Sequence, residues 1–151
     1  MIKVSNILFL DIETVPQYSS YEAMPKLWRE LWKKKAAYLI KENQTAEDIY
    51  NRAGIYAEFG KIICISVGYL VLKGNQRFFR IKSFAGDNEH KILKEFNALL
   101  MESYNSEDHY LCAHNGKEFD FPYIGRRMLV NNIKPASILH LQGKKPWEVK
   151  H

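Results

Sequence analysis

Two acidic side chains near the N-terminus have the type and spacing of metal ligands. Asp11 and Glu13 follow the short apolar run at residues 7–10, which is typical of a buried central strand. On an extended segment, residues two apart project from the same face, so the two carboxylates lie close together and repel each other. A hard divalent cation such as Mg²⁺ relieves that repulsion, because it prefers carboxylate oxygen. Alone, the pair also fits an acidic loop.

A third carboxylate, Asp120, follows the short apolar run at residues 110–113 and stands at the start of a helical segment. Because Phe121 and Pro122 come next, Asp120 fits the role of a helix cap. It also fits a place beside Asp11 and Glu13 if the two strands are neighbours, since ligands collect outside the strand ends of open α/β sheets. The residues by themselves leave both interpretations open.

Together, the two segments resemble the DEDD superfamily of 3′-5′ exonucleases. Residues 9–14, FLDIET, look like the first motif of that superfamily, and residues 115–122, NGKEFDFP, look like the second. The closest resemblance is to bacterial proteins related to the exonuclease domain of family B DNA polymerases, whose intervening segment is similar to residues 58–62, EFGKI. The resemblance covers essentially the whole chain.

The resemblance implies an RNase H-like α/β fold, in which a mixed sheet is flanked by helices. Asp11, Glu13 and Asp120 match three of the superfamily's four acidic ligands and would hold two Mg²⁺ or Mn²⁺ ions. The implied reaction is hydrolysis of phosphodiester bonds at the 3′ ends of nucleic acid, with single-stranded DNA or free 3′ ends as the expected substrate and nucleoside 5′-monophosphates as product. Three flanking residues are expected to hold the terminal nucleotide: Thr14, Asn115 and Phe119.

The sequence departs from the superfamily pattern after Asp120. The third motif needs a tyrosine or histidine that orients water, together with a further aspartate, and no aspartate follows Asp120. Tyr123 is too close to Asp120 for that role, and the two later histidines, His140 and His151, stand alone. We therefore expect residues 1–151 to form a single but incomplete exonuclease-like domain, truncated at its C-terminus, with weak or no activity.

The elements that must position these residues follow from hydrophobic periodicity. The sequence predicts strands at residues 7–10, 61–72, 77–84 and 110–113, with the second and third joined by a tight turn at residues 73–76. It predicts helices at residues 21–41, after Thr45, after a cap at Asp87, and at residues 121–131. Strands that alternate with helices in this order favour an α/β fold with a mixed sheet.

The charge leaves a second class of function open. A net charge of +5 favours a polyanionic partner, and the densest basic segment, residues 26–41, interleaves lysines with Trp28, Trp32 and Tyr38. That segment fits an amphipathic helix with its aromatic rings inward and its lysines solvated. It also fits a non-catalytic nucleic-acid-binding module on an RNase H-like scaffold, with phosphate contacts from these basic residues: Lys33, Lys34, Lys35, Arg126 and Arg127.

Two further expectations complete the sequence-based reading. The longest apolar runs are far shorter than the roughly 20 residues that a membrane span needs, so we expect no membrane partner and a cytoplasmic location. A metal-free hydrolase that uses Asp11 and Glu13 as an acid–base pair on another polymer also fits the first motif. That alternative leaves the second motif unexplained. Protein partners are not indicated.

Overall fold

The sheet contains four strands, which follow the apolar runs of the sequence. The computed structural model describes residues 2–139, and its strands are β1 (Ile7–Pro16), β2 (Gly60–Lys73), β3 (Gln76–Ala85) and β4 (Tyr110–Cys112). Their order in the sheet is β3-β2-β1-β4. Strands β2 and β3 pair antiparallel, whereas β1 and β4 pair parallel. This mixed sheet with its flanking helices confirms the predicted α/β fold and is consistent with an RNase H-like architecture.

The β2–β3 hairpin has the tight turn that the sequence predicts. Lys73 pairs with Gln76, so Gly74 and Asn75 form a two-residue loop. Gly74 has a φ of 58°, a left-handed conformation that glycine adopts without the strain a Cβ atom would add. The hairpin therefore keeps its register from the turn outward.

The three α-helices are α1 (Lys26–Ala36), α2 (Glu89–Ser103) and α3 (Asp120–Val130). Helix α2 begins one residue later than predicted, because Asn88 and not Asp87 is its cap: the Asn88 side chain accepts the backbone N–H of Lys91 at 3.0 Å. Within residues 2–139, no helix is long and apolar enough to span a membrane.

The two faces of the sheet differ in what they contact. On one face Phe84 packs edge-on against Phe96 of α2, with ring centroids 6.1 Å apart. On the other face Phe79 of β3 reaches across β2 to Phe9 of β1, with centroids 5.9 Å apart. Gly68 allows this, because a Cβ atom there would lie 2.4 Å from the Phe79 ring. The face that carries Phe9 is also the face of Asp11 and Glu13, since all three are at odd positions of one strand.

The chain divides into two compact units, one of residues 1–13 and 62–151 and the other of Thr14–Lys61. The second unit contains α1, which is shorter than the predicted helix at residues 21–41 because it starts only after Pro25 and ends already at Ala36. Thr45 and Asp48 exchange the capping hydrogen bonds that the sequence predicts, with Thr45 N–H to Asp48 Oδ2 at 2.7 Å. They precede a 3₁₀-helix, Tyr50–Ile55, and not an α-helix.

Candidate functional site

Strand β1 places the two acids of the first motif on one face. Leu8, Leu10 and Ile12 are buried, and they alternate with Asp11 and Glu13, which are exposed. The predicted common face of the two acids is therefore confirmed. The strand continues to Pro16, so the expectation that it ends before the acidic pair is wrong; the pair lies inside the strand.

Asp120 connects the second motif to this strand. It is the first residue of α3, and only 2% of its surface is exposed. Strand β4 pairs with β1 from Tyr110, which lies opposite Ile7, to its end at Cys112, which lies opposite Phe9. Farther along β1, the backbone N–H of Ile12 donates to the Asp120 carboxylate. Because Ile12 stands between Asp11 and Glu13, this hydrogen bond brings the two motifs together.

The electrostatic surroundings of Asp120 favour its protonated form. Burial is the main cause that raises the pKa of this carboxyl above its ordinary value, and the negative charge of Asp11 raises it further. Hydrogen bonds from the backbone N–H groups of Asp120 and Ile12, and the charge of His114, act in the opposite direction. The ionised Asp120 is thus destabilised by an acidic neighbour, and a cation beside both carboxylates would relieve the repulsion.

The loop before α3 explains how Asp120 reaches β1. Asn115 has a φ of 54°, and its carbonyl accepts the backbone N–H groups of Glu118 and Phe119, both at 3.1 Å. The carbonyl of Gly116 accepts the N–H of Phe121 at 2.9 Å. Gly116 is buried, and a Cβ atom on it would lie 2.6 Å from the Phe121 ring. The asparagine and the glycine of the second motif therefore have a structural role in this tight turn.

The cap interpretation of Asp120 is wrong. The residue at the cap position is Phe119, and no side chain caps the helix there. Asp120 is the first helical residue, and its carboxylate is directed to β1 and not only to its own helix. Asp120 lies near Asp11 and Ile12 of β1, and its role as a metal ligand stays a prediction.

The three residues predicted to hold a nucleotide have different surroundings. Asn115 is exposed in the loop. Phe119 is half-buried and packs against Tyr123, with ring centroids 5.4 Å apart. Thr14 is half-buried on β1 and, by strand alternation, faces away from the side of Asp11 and Glu13. Their contact with substrate remains a prediction, while His140 and His151 lie outside the described residues.

The acids provide suitable donors for a divalent cation without forming a complete site. Asp11, Glu13 and Asp120 offer only carboxylate oxygens, which are the donors that Mg²⁺ and Mn²⁺ prefer. The charge of Asp11 acts on the buried Asp120, which is the repulsion that such a cation removes. In the described part of the chain, however, no group of three or more His, Cys, Asp or Glu side chains is arranged to hold a metal ion.

One buried ion pair holds the helix that carries Asp120. Arg127 of α3 is 3% exposed, and its Nε and Nη2 atoms donate to the two carboxylate oxygens of Glu89 on α2, at 2.8 and 2.5 Å. The expectation that Arg127 contacts phosphate is therefore wrong, whereas its neighbour Arg126 is exposed. A sequence signal for this exists: Arg127 continues the helical stripe of the buried residues Asp120 and Ile124.

Comparison with known proteins identifies one family. The sequence model of a family described as "Predicted 3′-5′ exonuclease related to the exonuclease domain of PolB" matches residues 55–150, which is more than half of the chain. The match includes the Asp120 loop and begins after Asp11 and Glu13. Comparison with curated proteins gives no match.

Proposed function

Because the chain belongs to the family of predicted 3′-5′ exonucleases related to the exonuclease domain of PolB, we propose that it hydrolyses the terminal phosphodiester bond at 3′ ends of nucleic acid. DNA is the preferred polymer in this proposal, and nucleoside 5′-monophosphates are the product. The observation that carries it is the hydrogen bond from Ile12 N–H to the buried Asp120 carboxylate, between Asp11 and Glu13.

The proposed cofactor is Mg²⁺ or Mn²⁺, held by Asp11, Glu13 and Asp120. A divalent ion, when bound, polarises the phosphoryl group and supplies hydroxide near neutral pH. The residues themselves have separate tasks: Asp120 is fixed by the Ile12 N–H, while Asp11 and Glu13 are exposed on the strand face and are open to an incoming phosphate and its counterion. The raised pKa of Asp120 implies competition between a proton and the cation, so metal affinity increases with pH.

The terminal nucleotide has three proposed contacts. The exposed Asn115 offers an amide beside the Asp120 helix, and Phe119 offers the edge of a half-buried ring. Thr14 follows Glu13 directly along β1. Since these 151 residues carry three of the four acidic ligands that the superfamily uses, we propose that hydrolysis by this chain is slow, by roughly 10²- to 10⁴-fold for the absent acid–base group alone.

The experiment combines metal binding with hydrolysis. Mn²⁺ binding is measured by calorimetry for the chain and for three variants, Asp11→Asn, Asp120→Asn and Glu118→Gln. Glu118 is the matched control, because it is an exposed acid in the same loop as Asp120. We expect binding to be lost in the first two variants and kept in the control.

Hydrolysis is followed on a 5′-labelled oligonucleotide in Mg²⁺, in Mn²⁺ and in EDTA, with a second oligonucleotide whose 3′ linkage resists cleavage. We expect a ladder that shortens from the 3′ end, depends on the metal and disappears with Asp11→Asn. The proposal fails if cleavage persists in EDTA, or if the oligonucleotide with the resistant 3′ linkage is cut as well as the ordinary one. It also fails if Mn²⁺ binds Asp11→Asn and Asp120→Asn as tightly as it binds the unmodified chain.

A further inference from the structure

One face of helix α1 packs into the core of its own unit, Thr14–Lys61. Trp32 is fully buried, and its Nε1–H donates to the carbonyl of Ala46 at 2.7 Å. Its ring meets those of Tyr50 and Phe59 edge-on, with centroids 5.9 and 5.3 Å away. This contact fixes the rotation of α1 about its axis, and with it the set of residues that the helix presents to solvent.

The solvent face of α1 is unusual because it is also apolar. Leu27 is 69% exposed, Leu31 is 41% exposed, and Tyr38, two residues after the helix ends, is 90% exposed. The spacing of four residues puts Leu27 and Leu31 on one stripe of α1, and Tyr38 lies in the turn that follows the helix. The expectation that every aromatic residue of this segment points inward is therefore wrong for Tyr38. Exposed apolar side chains grouped in one segment are a feature of binding surfaces.

Positive charge borders this stripe. Helix α1 contains five basic residues and one acidic residue, Glu30, which pairs with Lys33 at 3.2 Å. Lys35 lies over the Tyr56 ring at 4.4 Å. Three exposed lysines of the segment form no ion pair within residues 2–139: Lys26, Lys34 and Lys41. Lys34 lies three residues beyond Leu31 on the same side of α1, and Lys41 follows Tyr38 in the segment after the helix. Exposed lysines without an ion pair in the described residues therefore stand near both Leu31 and Tyr38 in the sequence.

We propose that the exposed side of α1 and the segment that follows it, with Leu27, Leu31, Lys34, Tyr38 and Lys41, binds single-stranded nucleic acid. A ring that is 90% exposed gives a base a surface for stacking, and stacking is possible only on bases that are not paired. The unpaired lysines supply contacts to phosphate. The inference rests on the proposed function only for the choice of nucleic acid as the polyanion, and it adds a surface outside Asp11, Glu13 and Asp120.

The test measures affinity without cleavage. The whole chain is titrated against a fluorescently labelled oligothymidylate in EDTA, by anisotropy, over a series of salt concentrations. We expect Tyr38→Ala to weaken binding by roughly 5-fold to 100-fold, because base stacking on one ring is lost. Tyr38→Phe keeps the ring and is expected to remain within about twofold of the unmodified chain.

Charge is tested by the double variant Lys34→Gln/Lys41→Gln. Removing two phosphate contacts to a single strand is expected to reduce the slope of log affinity against log salt by about 1.4. The matched control is Lys91→Gln/Lys94→Gln, because it removes the same charge from exposed positions of α2. The control is expected to leave that slope unchanged.

The outcomes separate this inference from the proposed nuclease. If Tyr38→Ala binds the oligonucleotide as tightly as the unmodified chain, or if the two lysine pairs reduce the salt slope equally, the inference is overturned. It is also overturned if the chain binds anionic vesicles through Tyr38 and does not bind the oligonucleotide. If no variant hydrolyses DNA but affinity still depends on Tyr38, the nuclease proposal fails and this inference stands. Loss of hydrolysis in Asp11→Asn at unchanged affinity in EDTA supports both.

Discussion

The exchange Arg127→Met should lower the stability of the chain more than any other single change to an arginine of α3. It removes one partner of a buried ion pair and leaves the Glu89 carboxylate, which is only 9% exposed, without its counterion. Two donors to that carboxylate survive, the backbone N–H of Ile62 at 2.7 Å and the Nδ2 of Asn131 at 3.0 Å. The remaining carboxylate is therefore hydrogen-bonded but still carries an unpaired charge.

The expected magnitude follows from that geometry. Removing one partner of a buried pair costs about 3–5 kcal/mol, and the two surviving donors put Arg127→Met near the lower end. Arg127→Lys keeps the charge but loses the fork of two parallel hydrogen bonds, so we expect about 1.5–3 kcal/mol, which is the range for one charge-assisted bond. A loss of about 3 kcal/mol is a large fraction of the roughly 5–15 kcal/mol that stabilises a natural domain.

Urea unfolding followed by far-ultraviolet circular dichroism measures these differences. Arg126→Met is the matched control, since Arg126 is the exposed neighbour on the same helix, and we expect a change within about 0.5 kcal/mol. The double variant Glu89→Gln/Arg127→Met removes both charges, keeps a side-chain oxygen as acceptor for the Ile62 N–H, and is expected to recover part of the lost stability. The reasoning is refuted if Arg127→Met lowers the free energy of unfolding no more than Arg126→Met does. It is also refuted if the loss in the double variant equals the sum of the losses in its two single variants.

Three further changes have outcomes that the structure predicts. Asp120→Asn should raise the stability of the metal-free chain at neutral pH by about 0.5–2 kcal/mol, because the buried charge and its repulsion with Asp11 are removed. Thermal unfolding in EDTA measures this difference. Added Mn²⁺ should stabilise only the unmodified chain. Gly116→Ala should cost about 1–3 kcal/mol, because the new methyl group would meet the Phe121 ring at 2.6 Å; urea unfolding measures it. Trp32→Ala should cost about 3–5 kcal/mol by leaving a cavity in the second unit; chemical denaturation followed by circular dichroism measures it.

The pH dependence of Asp120 has a definite sign. Its pKa in the folded chain lies above the ordinary value of 3.8, so the folded state holds a proton that the unfolded state has already lost. Stability from this group is present below pH 3.8 and is lost as the pH rises through the raised pKa. Asp120→Asn should remove that loss; an identical pH profile of stability for the variant and the unmodified chain would contradict the assigned environment.

Equal stability of Gly116→Ala and the unmodified chain would contradict the close contact in the loop.

The sequence predicts those parts of the fold that depend on short-range patterns. Alternation of apolar and acidic residues predicts that Asp11 and Glu13 share a face, and the Gly74–Asn75 pair predicts the hairpin turn. The helical stripes predict α2 and α3 to within one residue at their starts. These features are determined by residues a few positions apart, so one sequence is enough to find them.

What the sequence does not predict depends on distant partners or on where a helix ends. The partner of Arg127 is Glu89, 38 residues earlier, and only tertiary packing brings the two together. Tyr38 is exposed because α1 ends at Ala36, and beyond that point the helical periodicity no longer determines which side a residue faces. The hydrogen bond from Ile12 to Asp120 depends on β4 ending at Cys112, which apolar runs locate only approximately.

The two ends of the unit Thr14–Lys61 lie close together, which affects how its length and sequence can change in evolution. Near its two ends, Gln17 N–H donates to the carbonyl of Phe59 at 2.9 Å, so the stretch between these two residues forms a loop whose ends lie beside each other. A segment closed in this way can lengthen, shorten or be exchanged without shifting the strands on either side of it. We expect chains that share this sheet to differ most in the segment between β1 and β2. The segment between Gln17 and Phe59 is the place where a short turn or another module can replace the native residues.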